Sequence, residues 1–109
     1  MTFIPSGKFR QRVTLQQAVR TPDGGGGAAV TWSPVADLWA SIEPMSADER
    51  FDSDRLQGRV THQIWLRYRA GVTPAMRFLS GARVFDIRSA VDADEVHRYL
   101  RCLVEETVL

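Results

Sequence analysis

Arg59-Val60-Thr61-His62-Gln63-Ile64-Trp65-Leu66-Arg67-Tyr68-Arg69 decides the fold class. Val60, His62, Ile64, Leu66 and Tyr68 share one parity, and Thr61, Gln63, Trp65, Arg67 and Arg69 share the other. A period of two puts successive side chains on opposite faces of an extended chain, so this stretch reads as a half-buried β-strand. Upstream, Phe9 to Arg20 repeats the pattern: Phe9, Val13, Leu15 and Val19 oppose Arg10, Arg12, Thr14, Gln16 and Arg20. Thr21-Pro22-Asp23-Gly24-Gly25-Gly26-Gly27 then supplies positive-φ positions and propagates neither element, which predicts a mobile hairpin tip over residues 21–28. Ala29 to Glu43 forms the returning strand, with Leu38, Ala40 and Ile42 on one face and Asp37, Trp39, Ser41 and Glu43 on the other. Within it Ser33-Pro34 removes a ladder donor and predicts a bulge or an edge.

Downstream, Ala70 to Pro74 turns the chain, and Met76–Leu79 and Arg83–Val91 flank a short Ser80-Gly81-Ala82 connection of hairpin type. The stretch from Val96 to Glu105 fits either a helix or a strand, and the short polar turn at Asp92–Glu95 favours a strand pairing back on its neighbour. Between the second and third strands, Met45 to Gly58 is polar. Ser46 and Glu49 there have capping-box spacing, and Phe51 and Leu56 are the sizeable apolar groups besides Met45, predicting a long loop or short helix. The expectation is all-β: a small antiparallel barrel or sandwich of about six strands, in a single domain spanning 1–109.

Composition agrees with a small globular domain. The chain has 109 residues, 44% hydrophobic and 25% charged, and no apolar run approaches the roughly 20 residues that cross a bilayer. A soluble intracellular product with no membrane partner is expected. The one cysteine, Cys102, excludes an internal disulfide and argues against redox chemistry and structural zinc. Lys plus Arg number 14 against 13 Asp plus Glu, a net +1 that is far from the positive field of sequence-independent DNA binding. The charge is unevenly placed: residues 43–58 hold five carboxylates and two arginines, a local −3, whereas 59–101 hold eight arginines and four carboxylates, a local +4.

Catalytic and cofactor readings find little support. His62 lies on the apolar face of a strand and reads as a satisfied interior histidine; Cys102 beside Leu103 reads as a small core residue. Asp52-Ser53-Asp54 and Asp92-Ala93-Asp94-Glu95 could face a hard cation, but neither has the glycine and distal glutamate of an EF-hand, so solvated or capping turns are the simpler reading. The glycine run lacks the Lys-Ser/Thr of a phosphate loop. No enzyme, metal or cofactor is expected. Outward Trp39 and Trp65, with Arg67 and Arg69, form a candidate interface; the patch would serve protein contact or base stacking, unless another segment covers the rings.

Taken together, Ser6 to Gln16, Asp23 to Gly26, Thr31-Trp32, Leu38 to Pro44, Val60-Thr61-His62, Arg67-Tyr68-Arg69, Gly71 to Arg77 and Arg83 to Arg88 resemble the phage head–tail joining proteins. These are the small connector or stopper proteins of long-tailed phages, prophages and gene transfer agents, and the likeness runs from about Gly7 to Leu100. The resemblance implies a non-catalytic β-barrel in a ring of six or twelve copies, sited in the particle neck and made in the host bacterial cytoplasm. Its neighbours would be the adaptor or portal ring above and a tail protein below, with packaged DNA passing through the lumen. It also implies that the 45–58 segment faces the channel, which nominates Asp48, Glu49, Arg50, Asp52, Asp54 and Arg55. The sequence departs from the family at the Gly24–Gly27 run and at Trp65, where a smaller residue is expected. The alternative is an OB-like barrel that binds single-stranded nucleic acid through Trp65, Tyr68 and nearby arginines, although the two rings have opposite parity.

Overall fold

A computed structural model describes residues 9–22, 24–46 and 59–107. Six antiparallel strands are present: β1 (Gln11–Pro22), β2 (Ala28–Pro44), β3 (His62–Arg67), β4 (Met76–Ser80), β5 (Arg83–Asp92) and β6 (Tyr99–Thr107). They close into one barrel in the order β1-β2-β3-β6-β5-β4, with β4 returning to β1. The all-β expectation holds in its barrel form. The loop or helix expected between β2 and β3 falls mostly on residues 47–58, outside the described residues.

Parity places the core. Val13 and Leu15 of β1, Ala40 of β2, Ile64 and Leu66 of β3, Phe78 of β4, and Leu100, Cys102 and Val104 of β6 all point inward and are buried. Each large aliphatic or aromatic side chain so buried contributes roughly 1.5–3 kcal/mol. Two bulges adjust the barrel wall. On β2 the register with β1 passes from Leu15↔Ala36 to Gln16↔Pro34, leaving Val35 as the extra residue beside the proline that foretold it. On β5 it passes from Ile87↔Val104 to Ser89↔Leu103, so Arg88 is extra and the parity switches. Phe85 and Ile87 face inward before the bulge, and Ala90 packs on the core after it.

Several boundaries differ from the sequence reading: β3 spans His62–Arg67 rather than the whole of Arg59–Arg69, and β1 runs on through Thr21 and Pro22. β6 begins at Tyr99 rather than Val96, because Glu95 and His97 have φ of 59° and 60°, a left-handed conformation that no strand accommodates. The turn is held instead by the Asp92 carboxylate, which accepts from the His97 N–H at 3.0 Å, and by Asp94, which accepts from Arg98 Nε at 3.0 Å. Phe9 shares sequence parity with Val13, yet it precedes β1 and packs on the outside of the barrel against Trp65.

The strand directions sort the connections between two ends. One end carries the β4–β5 turn and the roots of the β2–β3 excursion, where the Met45 N–H donates to the Thr61 carbonyl (3.1 Å) and the Thr61 N–H to that of Val104 (2.9 Å). The opposite end carries the β3–β4 and β5–β6 turns and a long β1–β2 hairpin. β1 meets β4 only from Thr14 to Gln17, and β2 meets β3 only from Ala40 to Pro44. Beyond those limits the two strands pair with each other alone, forming an arm that lengthens the molecule to 50 × 29 × 27 Å. At its tip Gly24 and Gly26 take φ of 83° and 88°, the conformation that makes glycine the suitable residue there.

Candidate functional site

The outer wall of the barrel is sorted by charge. On the β5–β6 flank three arginines are neutralised: Arg83 binds both carboxylate oxygens of Glu106 (2.8 and 3.2 Å), Arg88 binds Glu105, and Arg98 binds Asp94, while Arg101, opposite Val91, has no ion pair among the described residues. The Arg83 fork holds the Glu106 carboxyl below its ordinary pKa. His62, at the same rim, sits edge-on to Phe85 (5.5 Å, 74°), with Nδ1 2.9 Å from Thr61 Oγ1 and Nε2 3.9 Å from Glu106. It is the structural histidine that its parity suggested.

The β1–β2–β3 flank is different. Trp39 is 55% exposed, and Arg12, directly opposite it on β1, lays its guanidinium 5.0 Å from the ring centroid. Since Ala40 pairs with Leu66, the next residue on β3, Arg67, stands beside Trp39, and it is exposed. Among the described residues neither Arg12 nor Arg67 has an ion-pair partner. Arg69 lies just past the end of β3 and is half-buried. A second tryptophan that sequence reasoning did not single out as a site is Trp32. Arg77 covers it at 4.2 Å while donating to Gln16 Oε1 at 2.7 Å. Register across β4–β1–β2 was the signal needed to see this, and a linear sequence does not carry it.

Trp65 requires correction. It points away from the barrel interior, as its parity required, but it is only 5% exposed. Phe9, Ala93 and Tyr99 enclose it, with Phe9 edge-on to Tyr99 at 5.7 Å and 81°. An indole on a six-residue strand exposes too much apolar area to stay wet, and Phe9, just before β1, packs over it. Tyr68 leans on the core and stacks on His97 (4.3 Å, 6°). Trp65, the indole that the nucleic-acid alternative needs for stacking, is therefore not offered to solvent, and Tyr68 is half-buried.

Cys102 is buried in the barrel, and desolvation pushes its thiol up to about 12, which leaves it unreactive at neutral pH. Among the described residues no cluster of three metal-ligating side chains occurs. Asp92 and Asp94 serve the β5–β6 turn, as the capping reading required. Asp48, Glu49, Arg50, Asp52, Asp54 and Arg55, together with the Asp52-Ser53-Asp54 cation reading, lie outside the described residues.

A family model described as phage head completion protein matches residues 4–107. The solution structure of protein SF1141 from Shigella flexneri 2a is similar, with a TM-score of 0.74 and 29% identity over 94% of this chain and 96% of that one. A chain from the virion of a native gene transfer agent particle is also similar, with a TM-score of 0.67 and 30% identity over 92% of this chain and 96% of that one. No curated protein matches significantly.

Proposed function

Because the chain belongs to the phage head completion protein family, we propose that it works as a structural ring in the neck of a phage-type particle, below the portal or adaptor. There it closes the DNA-filled head and joins it to a tail protein. The match over residues 4–107, which takes in every strand of the barrel, carries this reading. Its role is one of shape and contact rather than catalysis, with six or twelve copies around a lumen that DNA crosses.

The topology gives the barrel two distinct ends. The β2–β3 excursion is rooted at one end of the barrel, and the β1–β2 arm leaves from the other. With a local −3 over residues 43–58, the excursion is suited to face the channel, where its carboxylates repel the DNA backbone and limit sticking during passage. Asp48, Glu49, Asp52 and Asp54 would supply that charge, with Arg50 and Arg55 moderating it.

The experiment follows from the roots. Met45 and Thr61 are bonded backbone to backbone, so Ala47 to Gln57 can be replaced by a short Gly-Ser linker without stretching the barrel. We expect a folded barrel and particles that fill with DNA but leak it, read as nuclease-sensitive DNA after filling. Particles that hold DNA as well as unmodified ones would remove the channel-facing role. Imaging that finds no copies of this chain in the neck would remove the ring itself.

A further inference from the structure

Trp39 is the most exposed aromatic side chain among the large exposed hydrophobics of the described residues, and arginines with no carboxylate partner there flank it. Large exposed aromatic groups beside arginine are the usual anchors of protein interfaces. A second copy cannot meet this patch with the same patch, since arginines would then face arginines. The complementary surface lies elsewhere on the chain. At the corner where β5 turns into β6, Val91 (46%) and Val96 (59%) are exposed, and Asp92 and Asp94 are bonded to His97 and Arg98 within the turn, which leaves Glu95 as the carboxylate there with no ion-pair partner among the described residues. Glu95 at the apex is exposed. β2 and β5 stand opposite one another in the six-strand circuit, and both patches lie toward the end that carries the arm. Two different patches on opposing flanks make a contact that repeats in one direction, which generates a ring when the rotation closes.

We propose that Trp39 of one copy, with Arg12 and Arg67, docks on the Val91–Val96 corner of the next copy, where Glu95 receives an arginine. The proposal rests on the ring reading above and specifies which surfaces of the ring meet. The valines cover the indole, and the charge pairs at its edge set direction and register.

The test places one cysteine on each patch, as Arg67→Cys together with Glu95→Cys, in otherwise unmodified particles treated with a short bis-maleimide. Both positions are exposed, and Cys102 is sealed in the core. A ladder of covalent multiples of this chain that ends at the ring number is expected, with each single-cysteine variant giving none. A ladder that stops at the dimer, or a product joined to a different protein, would overturn the proposal. So would unlinked chains in particles whose neck ring is visible by imaging, whereas a neck without this chain would instead strike at the ring reading. As a second arm, Arg67→Glu should lower the yield of joined particles about tenfold, a change of roughly 1.4 kcal/mol in association. Adding Glu95→Arg to that variant should restore the yield. Failure of the double variant to recover, with both singles folded, would also reject the pairing.

Discussion

Strands β1 and β2 pair with each other from Gln11↔Ala40 to Pro22↔Ala28, yet the two ends of that ladder live in different surroundings. Near the barrel, Val13 and Leu15 are 1% exposed, and Leu15 is flanked by Phe78 of β4 as well as by β2. In the arm, Val19 and Val30 are 39% and 49% exposed, and each strand has one edge without a partner strand. The same residue types at the same period are core in one place and surface in the other. Alternation specifies a strand; enclosure by a third and fourth strand makes one of its faces a core.

This contrast can be broken at several points. The largest effect should come from Phe85→Ala, which empties the interior of the closed part, where Phe85 is fully buried. A loss of about 3–5 kcal/mol is expected, a large share of a small domain's stability, and a urea midpoint unchanged by the substitution would contradict the barrel core. Next, the two tryptophans with outward parity should behave oppositely. Trp65→Ala should cost about 3 kcal/mol or more because the ring is enclosed by Phe9 and Tyr99. Trp39→Ala should change stability by under about 1 kcal/mol while particles fail to join tails. Equal destabilisation of the isolated chain by both would show that outward parity alone says nothing about cover.

Smaller still is the effect of shortening the arm. Ala18 faces Trp32 in register, so Val19 to Thr31 can be replaced by Asn-Gly, a two-residue turn that suits the twist of the ladder. Melting should shift by less than about 4–8 °C, the equivalent of 1 kcal/mol for a domain of this size. A larger drop would mean that the arm supports the barrel. The smallest effect concerns pH. Glu106 is held below its ordinary pKa, first by its hydrogen bonds with Arg83. That stabilisation is complete above the unfolded carboxylate value of about 4.3 and is lost as pH falls through the lowered folded value. Urea midpoints of the natural chain and of Glu106→Gln should therefore differ at pH 6 and draw together as the pH falls below about 4.3; a gap that does not narrow would mean that the ion pair contributes nothing.

Most of the barrel wall was legible because it depends on local pattern. The faces of β2 and β3 and the bulge beside Pro34 follow from parity and from proline's missing donor. The Arg88 bulge was not legible, since Ser89 and Ala90 suit either face and the switch is visible only against β6. The cover over Trp65 was hidden for a related reason. Phe9 reaches it from 56 positions away, and nothing in either neighbourhood announces the meeting. The candidate surface was half visible: Trp39, Arg67 and Arg69 stand out as residue types, while Arg12 joins them only through cross-strand register.

The circuit β1-β2-β3-β6-β5-β4 also has a consequence for how the chain is born. β6 is the last of the six strands to leave the ribosome, yet it fills the gap between β3 and β5. Until it arrives, β3 has a bare side, Ile64 and Leu66 lack their ceiling of Leu100 and Cys102, and the sheet is an open strip rather than a tube. Folding should therefore be a late and concerted event, with the emerging chain dependent on chaperones until Thr107 is in place. A nascent chain stalled before Tyr99 should be cut readily by protease at sites that the finished protein protects.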